Sequence, residues 1–434
     1  MSIKIRPKVV VGYFLIYFML IWNQTNLGET FLKKFSLPIL CVFVCWVFIK
    51  SKKLKKWCGL VSVILILSAV LIRLSVGGIG IIAIVSMLSS VYIVAIAVIY
   101  NKESILDRVL KMIVFLASMS LFLWLLCMFV PQIYESLIPQ YNSLMTYRIY
   151  SDAENYKEIH YVCRGLFLYT FREVDRMKNS GIFTEPGIYQ MVLNIGIFII
   201  LFMNEYVSCK RIKLKLAILV LTLCTTQSTT GFVGLSLIVF FYLFINFKEQ
   251  KVYSKQKVLL YMSALVILLL LDFQIRGENS IFQIAIIDKL FSKGTISLVD
   301  NASSAARVGT ILLTTASILK HPFGIGYTNL EIMLNTEKTG FVAAELLRFG
   351  AVWGIIPLCF VLWWIFSPLN RRLNKSMIII YILLYINTLL AQSNMFYPIL
   401  ILIPIAFKYN YQRYENRNVN RKEIGGLNEN IMDL

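Results

Sequence analysis

LKMIVFLASMSLFLWLLCMFV, residues 110–130, is the stretch whose reading decides the fold. It carries a single charge, Lys111, and no Gly, Pro or Asn. About 20 such residues, wound as a helix, reach across the hydrocarbon of a bilayer. The chain then turns polar for a long stretch, Pro131–Glu185, before the next apolar run begins. Working outward, the same pattern recurs. Apolar runs that can span lie at 9–26, 35–49, 58–76, 79–100, 110–130, 186–207, 212–227, 230–247, 257–272, 341–367, 376–391 and 394–409. A second long polar interruption, Asp272–Gly340, separates the ninth from the tenth. Val308–Leu319, inside it, is apolar for only 12 residues and reads as an interfacial or re-entrant helix rather than a span.

Composition agrees. The chain is 58% hydrophobic and 15% charged, with a mean hydropathy of +0.72, which excludes an ordinary soluble domain. The net charge of +20 does not point to nucleic acid, because the basic residues gather in short loops between apolar runs and no basic-aromatic motif or zinc spacing is present. Of 43 Lys and Arg, 27 fall in the termini and loops of one side when twelve spans are threaded. Twelve more lie in the two long interruptions, which therefore face outward. The expected fold class is all-α, a polytopic membrane bundle of about twelve helices with two large outer loops, in the plasma membrane and with both termini cytoplasmic. Lys4, Arg6 and Lys8 before Val9–Trp22 resemble a signal peptide, but no small-x-small cleavage site follows, so this reads as an uncleaved first span.

The expected organisation is five helices in 1–130, the first outer loop in 131–185, four helices in 186–272, the second outer loop in 273–340, three helices in 341–409 and a cytoplasmic tail in 410–434. Only Cys163 of the eight cysteines falls in an outer loop, so no disulfide framework is implied. Cys41 and Cys45 read as small buried hydrophobes within an apolar segment.

The residues that can carry chemistry concentrate in the two loops. The first holds Arg148, Arg164, Arg172, Arg176 and Lys178 and ends in KNSGIFTEPGIYQ (178–190). Gly181 allows an unusual backbone angle or a close approach. Thr184 and Glu185 sit where a helix begins, with Pro186 at its first turn. Glu185 is either a capping carboxylate or a general base and organiser of nearby arginines. Gln190 and Asn194 put two amides on one face of the helix that follows, which requires a cavity or a partner helix. The second loop holds Arg276, Lys289, Lys293, Arg307 and Lys320, then HPFGIG (321–326) with His321. Two polar turns, TTQSTTG (225–231) and AQSNMFYP (391–398), add to the outer surface. Glu345 and Arg348, three apart, form an intramembrane pair that serves either as a clamp or as part of a charged cavity.

These features together resemble the bacterial O-antigen and capsular polysaccharide polymerases of the Wzy type, within the superfamily that includes the O-antigen ligases. The resemblance rests on the span count and the two outer loops, on GIFTEPGIY (181–189), on STTG (228–231), and on Arg307 followed by HPFGIG. It implies a glycosyltransferase that joins undecaprenyl-diphosphate-linked repeat units at the outer face of the plasma membrane, with no cofactor and no metal. Its implied partners are the lipid-linked donor and acceptor, membrane lipids, a chain-length regulator and a flippase. Carried onto this chain, it marks Glu185, Arg307 and His321 as catalytic, and Arg164, Arg172, Arg176, Lys178 and Arg307 as diphosphate-binding. Lys178 stands where many relatives have Arg, and the 228–231 turn has Thr where relatives often have Arg. The His-Asn of the ligases is absent from EKTGFVAAELL (337–347), which favours a polymerase over a ligase. A flippase is the rival of a different class, but flippases usually have short outer loops and internal repeats, and neither is evident here.

Overall fold

The computed structural model describes residues 7–22, 24–50, 52–75, 81–130, 132, 146–149, 161–165, 167–172, 177–204, 207, 210–248, 274, 291–292, 295–296, 302–336, 344–367, 375–392 and 395–406. Those residues are mostly helical, as the apolar runs require. In chain order the helices are α1 Pro7–Ile21, α2 Asn26–Thr30, α3 Ser36–Lys50, α4 Lys52–Ser75, α5 Ile81–Asn101, α6 Ile105–Phe129, α7 Pro186–Phe202, α8 Ile212–Thr225, α9 Thr229–Lys248, α10 Ala302–Lys320, α11 Tyr327–Thr336, α12 Glu345–Trp353, α13 Ile355–Phe366 and α14 Lys375–Ala391, with residues 398–406 helical after it. Among the described residues, three segments are long and apolar enough to cross a membrane: Leu32–Lys50, Ile84–Asn101 and Ile105–Phe129. Seven further apolar helices are shorter. The candidate span at 257–272 lies outside the described residues, as does the tail after 406.

The helices pack side by side. α1 lies on α5 and α6, and α3 lies on α5. α6 meets α7 and α8, α7 meets α9, and α9 meets α14. α14 packs on α12, and α12 and α13 return to α4. Most core side chains are aliphatic or aromatic, with Trp22, Trp364, Tyr189, Tyr385 and Tyr397 fully buried. Lipid tails are as apolar as leucine, so contact between such helices gains from close packing and from buried polar links rather than from removal of water.

Four expectations change. The run at 9–26 is not one helix: α1 stops at Ile21, and Thr25 caps the short α2 by accepting from the Gly28 amide. The run at 341–367 is broken at Gly354 into α12 and α13. Gly354 sits at φ 90° and ψ 167°, a region that only glycine occupies readily. Cys41 and Cys45 are exposed on α3 rather than buried. Finally, the first loop departs from the all-α expectation. It carries a small antiparallel sheet, β1 Thr146–Ile149, β2 Tyr161–Arg164 and β3 Phe171–Arg172, in the order β1-β2-β3.

A candidate site where loop ends and helix ends meet

The end of the first loop is threaded into the bundle. Asn179 binds the C-terminus of α8 twice: its amide donates to the Thr225 carbonyl at 2.9 Å, and its Nδ2 donates to Thr225 Oγ1 at 3.0 Å. Asn179 Oδ1 also accepts from the Gly181 amide at 2.9 Å. Gly181 adopts φ +58°, and a Cβ there would lie 2.7 Å from the Tyr189 ring, so both readings of this glycine apply. Thr184 donates to the Gln24 carbonyl from its amide, and Phe183 pairs with Thr25 in an isolated antiparallel bridge. Phe183 rests between Tyr189 and Tyr397, with ring centroids at 5.7 and 6.2 Å. The Tyr189 hydroxyl meets Ser120 of α6, and the Tyr397 hydroxyl donates to the Leu20 carbonyl.

Glu185 is the N-cap residue of α7 in extended conformation, with Pro186 at the first turn. Its carbonyl accepts from the Ile188 and Tyr189 amides, but its carboxylate does not cap the helix. The capping role considered for this side chain is therefore not the one it plays. Around it the polar turns converge. Gln392 touches Gly187, one turn into α7. Asn194 donates to Gln190 Oε1 and to the Gly231 carbonyl of α9, and Asn387 donates to the Thr230 carbonyl. The amide face expected on α7 thus meets a partner helix.

The sheet decides which arginines come near Glu185. Arg172 pairs with Cys163 across β2 and β3, so both side chains rise from one face. The buried Cys163 thiol reaches the Thr184 carbonyl at 3.5 Å, the residue before Glu185. Arg172 therefore belongs to the face turned toward the start of α7, and it is itself buried. Arg164 pairs with Phe171 and rises from the opposite face, the one whose Phe171 packs with Tyr169 against Leu123, Trp124 and Cys127. The pleat separates two arginines that the sequence treats alike. Lys178 is half-buried next to Asn179, and Trp124 Nε1 donates to the preceding Met177 carbonyl. Arg176 lies outside the described residues.

The second loop reaches the bundle elsewhere. Arg307 is on α10, but its side chain is outside the described residues. His321 follows α10 directly and is exposed; among the described residues its ring makes no hydrogen bond or ion pair. The turn after it fastens the break in the 345–366 segment. Ile325 and Gly326 amides donate to the Ala351 and Val352 carbonyls, and the Ile355 amide donates to the Pro322 carbonyl. These are backbone groups that a broken helix leaves without partners. The Glu345–Arg348 pair forms, with Arg348 buried. Ala344, just before it, donates to the Leu390 carbonyl, and Phe396 packs on Phe349 at 5.7 Å. The turn at 390–397 thus touches both the start of α7 and the start of α12.

Sequence reading missed Cys163, Asn179, Gly354 and Gln392. Gly354 shares its apolar run with Gly350, so composition does not single it out, and the other three matter through partners distant in sequence. Among the described residues no group of His, Cys, Asp and Glu could hold a metal ion. No family model, curated protein or solved structure matches this chain.

Proposed function

We propose that this chain is a polysaccharide polymerase, a membrane glycosyltransferase that joins undecaprenyl-diphosphate-linked oligosaccharide units at the outer face of the plasma membrane. The twelve-span topology with both termini inside is part of the same proposal. The observation that carries it is the pairing of Arg172 with Cys163 on the sheet face that meets Thr184, one residue from Glu185. The buried Arg172 and the helix-start Glu185 thus come from segments joined at Thr184, with Gln392 against Gly187 in the first turn of the same helix.

The chemistry follows from charge. A hydroxyl oxygen of the acceptor glycan attacks the anomeric carbon of the donor. The bond from that carbon to the diphosphate breaks, and undecaprenyl diphosphate leaves with the electron pair. Negative charge grows on the leaving group, where guanidinium binds phosphate oxygens in pairs and keeps its proton. Arg172, with Arg307 or Arg176, takes this role. The acceptor proton goes to Glu185 or His321. Lys178 and Arg164 supply charge farther out. The partners proposed are the lipid-linked donor and acceptor, with a chain-length regulator and a flippase acting alongside.

A second reading, movement of the lipid-linked glycan across the bilayer, draws on the helix break at Gly354, since transporters use discontinuous helices at their substrate sites. One strain-level experiment separates the two. Cells lacking the chain accumulate single lipid-linked repeat units, which are analysed for the leaflet that holds them. Accumulation on the outer face supports a polymerase, and retention inside supports transport. Glu185→Gln and Arg172→Lys, restored at normal protein levels, are expected to shorten the polymer to one or a few units. Full-length polymer from both variants removes the proposed site.

A further inference from the structure

In the second loop α11 buries Leu330 and Leu334 and exposes Thr328, Asn329, Glu331 and Asn335, but α10 does not have the burial pattern of a segment in water. On α10 the buried face holds Thr310, Thr314 and Ser317, while Leu312 and Leu319 are 64% and 78% exposed. Phe323, next along the same stripe, is 77% exposed. Hydroxyls inside and leucines outside is the reverse of an aqueous helix and the normal arrangement of a lipid-facing one. The hydroxyls are placed for a dry setting too: Thr314 Oγ1 donates to the Thr310 carbonyl of its own helix.

Position agrees with pattern. Ile318 lies against Gly350, and four residues on in one segment and five in the other the Pro322 carbonyl meets the Ile355 amide. Hence α10 runs parallel to α12 and descends beside it. Nine residues of α12, at about 1.5 Å each, place the Gly354 break roughly 13 Å along that helix from the Ala344–Leu390 contact. With α12 along the bilayer normal and that contact at the outer surface, as the proposed topology requires, headgroup layers of about 5–7 Å would put the tip of this segment in the outer part of the hydrocarbon. A turn at that depth must satisfy its backbone within the protein. The Ile325, Gly326 and Ile355 amides and the Pro322, Ala351 and Val352 carbonyls do so by pairing with one another. The chain then continues as α11, which packs on both α10 and α12. Lys320, exposed beside the stripe, has a stem long enough to carry its ammonium toward the headgroups from such a depth.

We infer that residues 308–336 form a re-entrant helical hairpin whose outer stripe, Leu312, Leu319 and Phe323, is covered by phospholipid acyl chains. The stripe continues onto Ile355 and Ile356, exposed at the start of α13, an apolar helix of the bundle itself. Bilayer lipid is thus the occupant by continuity, and neither a second copy nor another protein is needed to cover it. The inference rests on the membrane character of the chain and not on polymerase chemistry.

The test uses the full chain with its native cysteines replaced, in nanodiscs of phosphatidylcholine and phosphatidylglycerol. Leu312→Cys, Leu319→Cys and Phe323→Cys are each labelled with an environment-sensitive fluorophore, and Thr336→Cys, at the exposed end of α11, serves as the aqueous reference. The expected result is blue-shifted emission at 319 and 323, quenching by lipids spin-labelled on the acyl chain, and at least threefold protection from iodide relative to 336. Position 312 reports independently if either deeper variant fails to fold. Iodide quenching at all three stripe positions equal to that at 336 overturns the hairpin. Protection without quenching by the labelled lipids also overturns it, since it means that protein covers the stripe. Activity is not read, so a failed polymerase assay leaves this result standing.

Discussion

The two loop ends reach the bundle in opposite ways. Residues 179–190 are drawn inside: Asn179, Gly181, Phe183 and Thr184 are buried, and the segment is tied to the turn between α1 and α2, to α6, to α8 and to the 395–397 turn. Residues 320–326 stay at the rim, with His321, Pro322 and Phe323 exposed, and hold on through backbone bonds at one helix break. The first arrangement fixes a carboxylate against a rigid wall. The second leaves His321, Pro322 and Phe323 exposed and holds mainly through its main chain, with Ile325 packed on the core. In a membrane this is economical, because a main chain left unpaired in hydrocarbon costs several kcal/mol per group, whereas an exposed apolar side chain costs nothing there.

The sharpest way to break this contrast is Gly354→Ala. The backbone there is one that alanine avoids, and the added Cβ would sit 2.7 Å from the Pro322 carbonyl oxygen and 2.8 Å from the Phe323 carbonyl carbon. The expected loss is about 3 kcal/mol or more, read as a lowered thermal midpoint of the purified protein in detergent. Gly59→Ala on α4, where nothing lies within 4 Å, is the control and is expected to leave the midpoint unchanged. If the two variants unfold alike, the turn is not fastened to the break and the second loop end is looser than described.

A smaller effect is expected on the other side of the comparison. Tyr189→Phe keeps the ring that packs on Phe183 and Gly181 but removes the hydroxyl that meets Ser120 at 2.5 Å. Ser120 retains its bond to the Ala117 carbonyl, so no buried group is stranded. The expected cost is about 1 kcal/mol, with the polymer unaffected if the ring alone sets the position of Glu185. A loss of polymer at unchanged stability instead assigns the hydroxyl a part in the site.

How much of this was legible beforehand differs between the two regions. The helices were readable because apolar runs bounded by polar and charged residues report where a helix starts and stops. The helix start at Pro186 was readable because proline at a first turn has one local meaning. The amide face of Gln190 and Asn194 followed from helical spacing. What could not be read was any contact between distant segments. Cys163 looks like a stray cysteine until its register opposite Arg172 is known, and the different facing of Arg164 and Arg172 depends on that same register. The break at Gly354 hides within a run whose composition alone reads as one span. Its signal lies in the partner turn, which supplies the hydrogen bonds that the break needs.

The smallest effect concerns Tyr327, and it sharpens the comparison from the exposed side. Burial raises the pKa of its phenol; Arg348 pulls it down, and Glu331 and Glu345 push it up. A group whose folded pKa lies above its unfolded value favours folding while it holds its proton. That contribution is fully present below the ordinary tyrosine value near 10 and is lost as the pH rises through the folded value. Tyrosinate absorbance, titrated upward in the wild type and in Tyr327→Phe, isolates this one residue as a missing step. The step is expected above pH 10, with the stability difference between the two proteins constant below that pH and shrinking beyond it. A step at or below pH 10 means that Tyr327 is bathed in water, so α11 does not return along Arg348 and the second loop end is open on both sides.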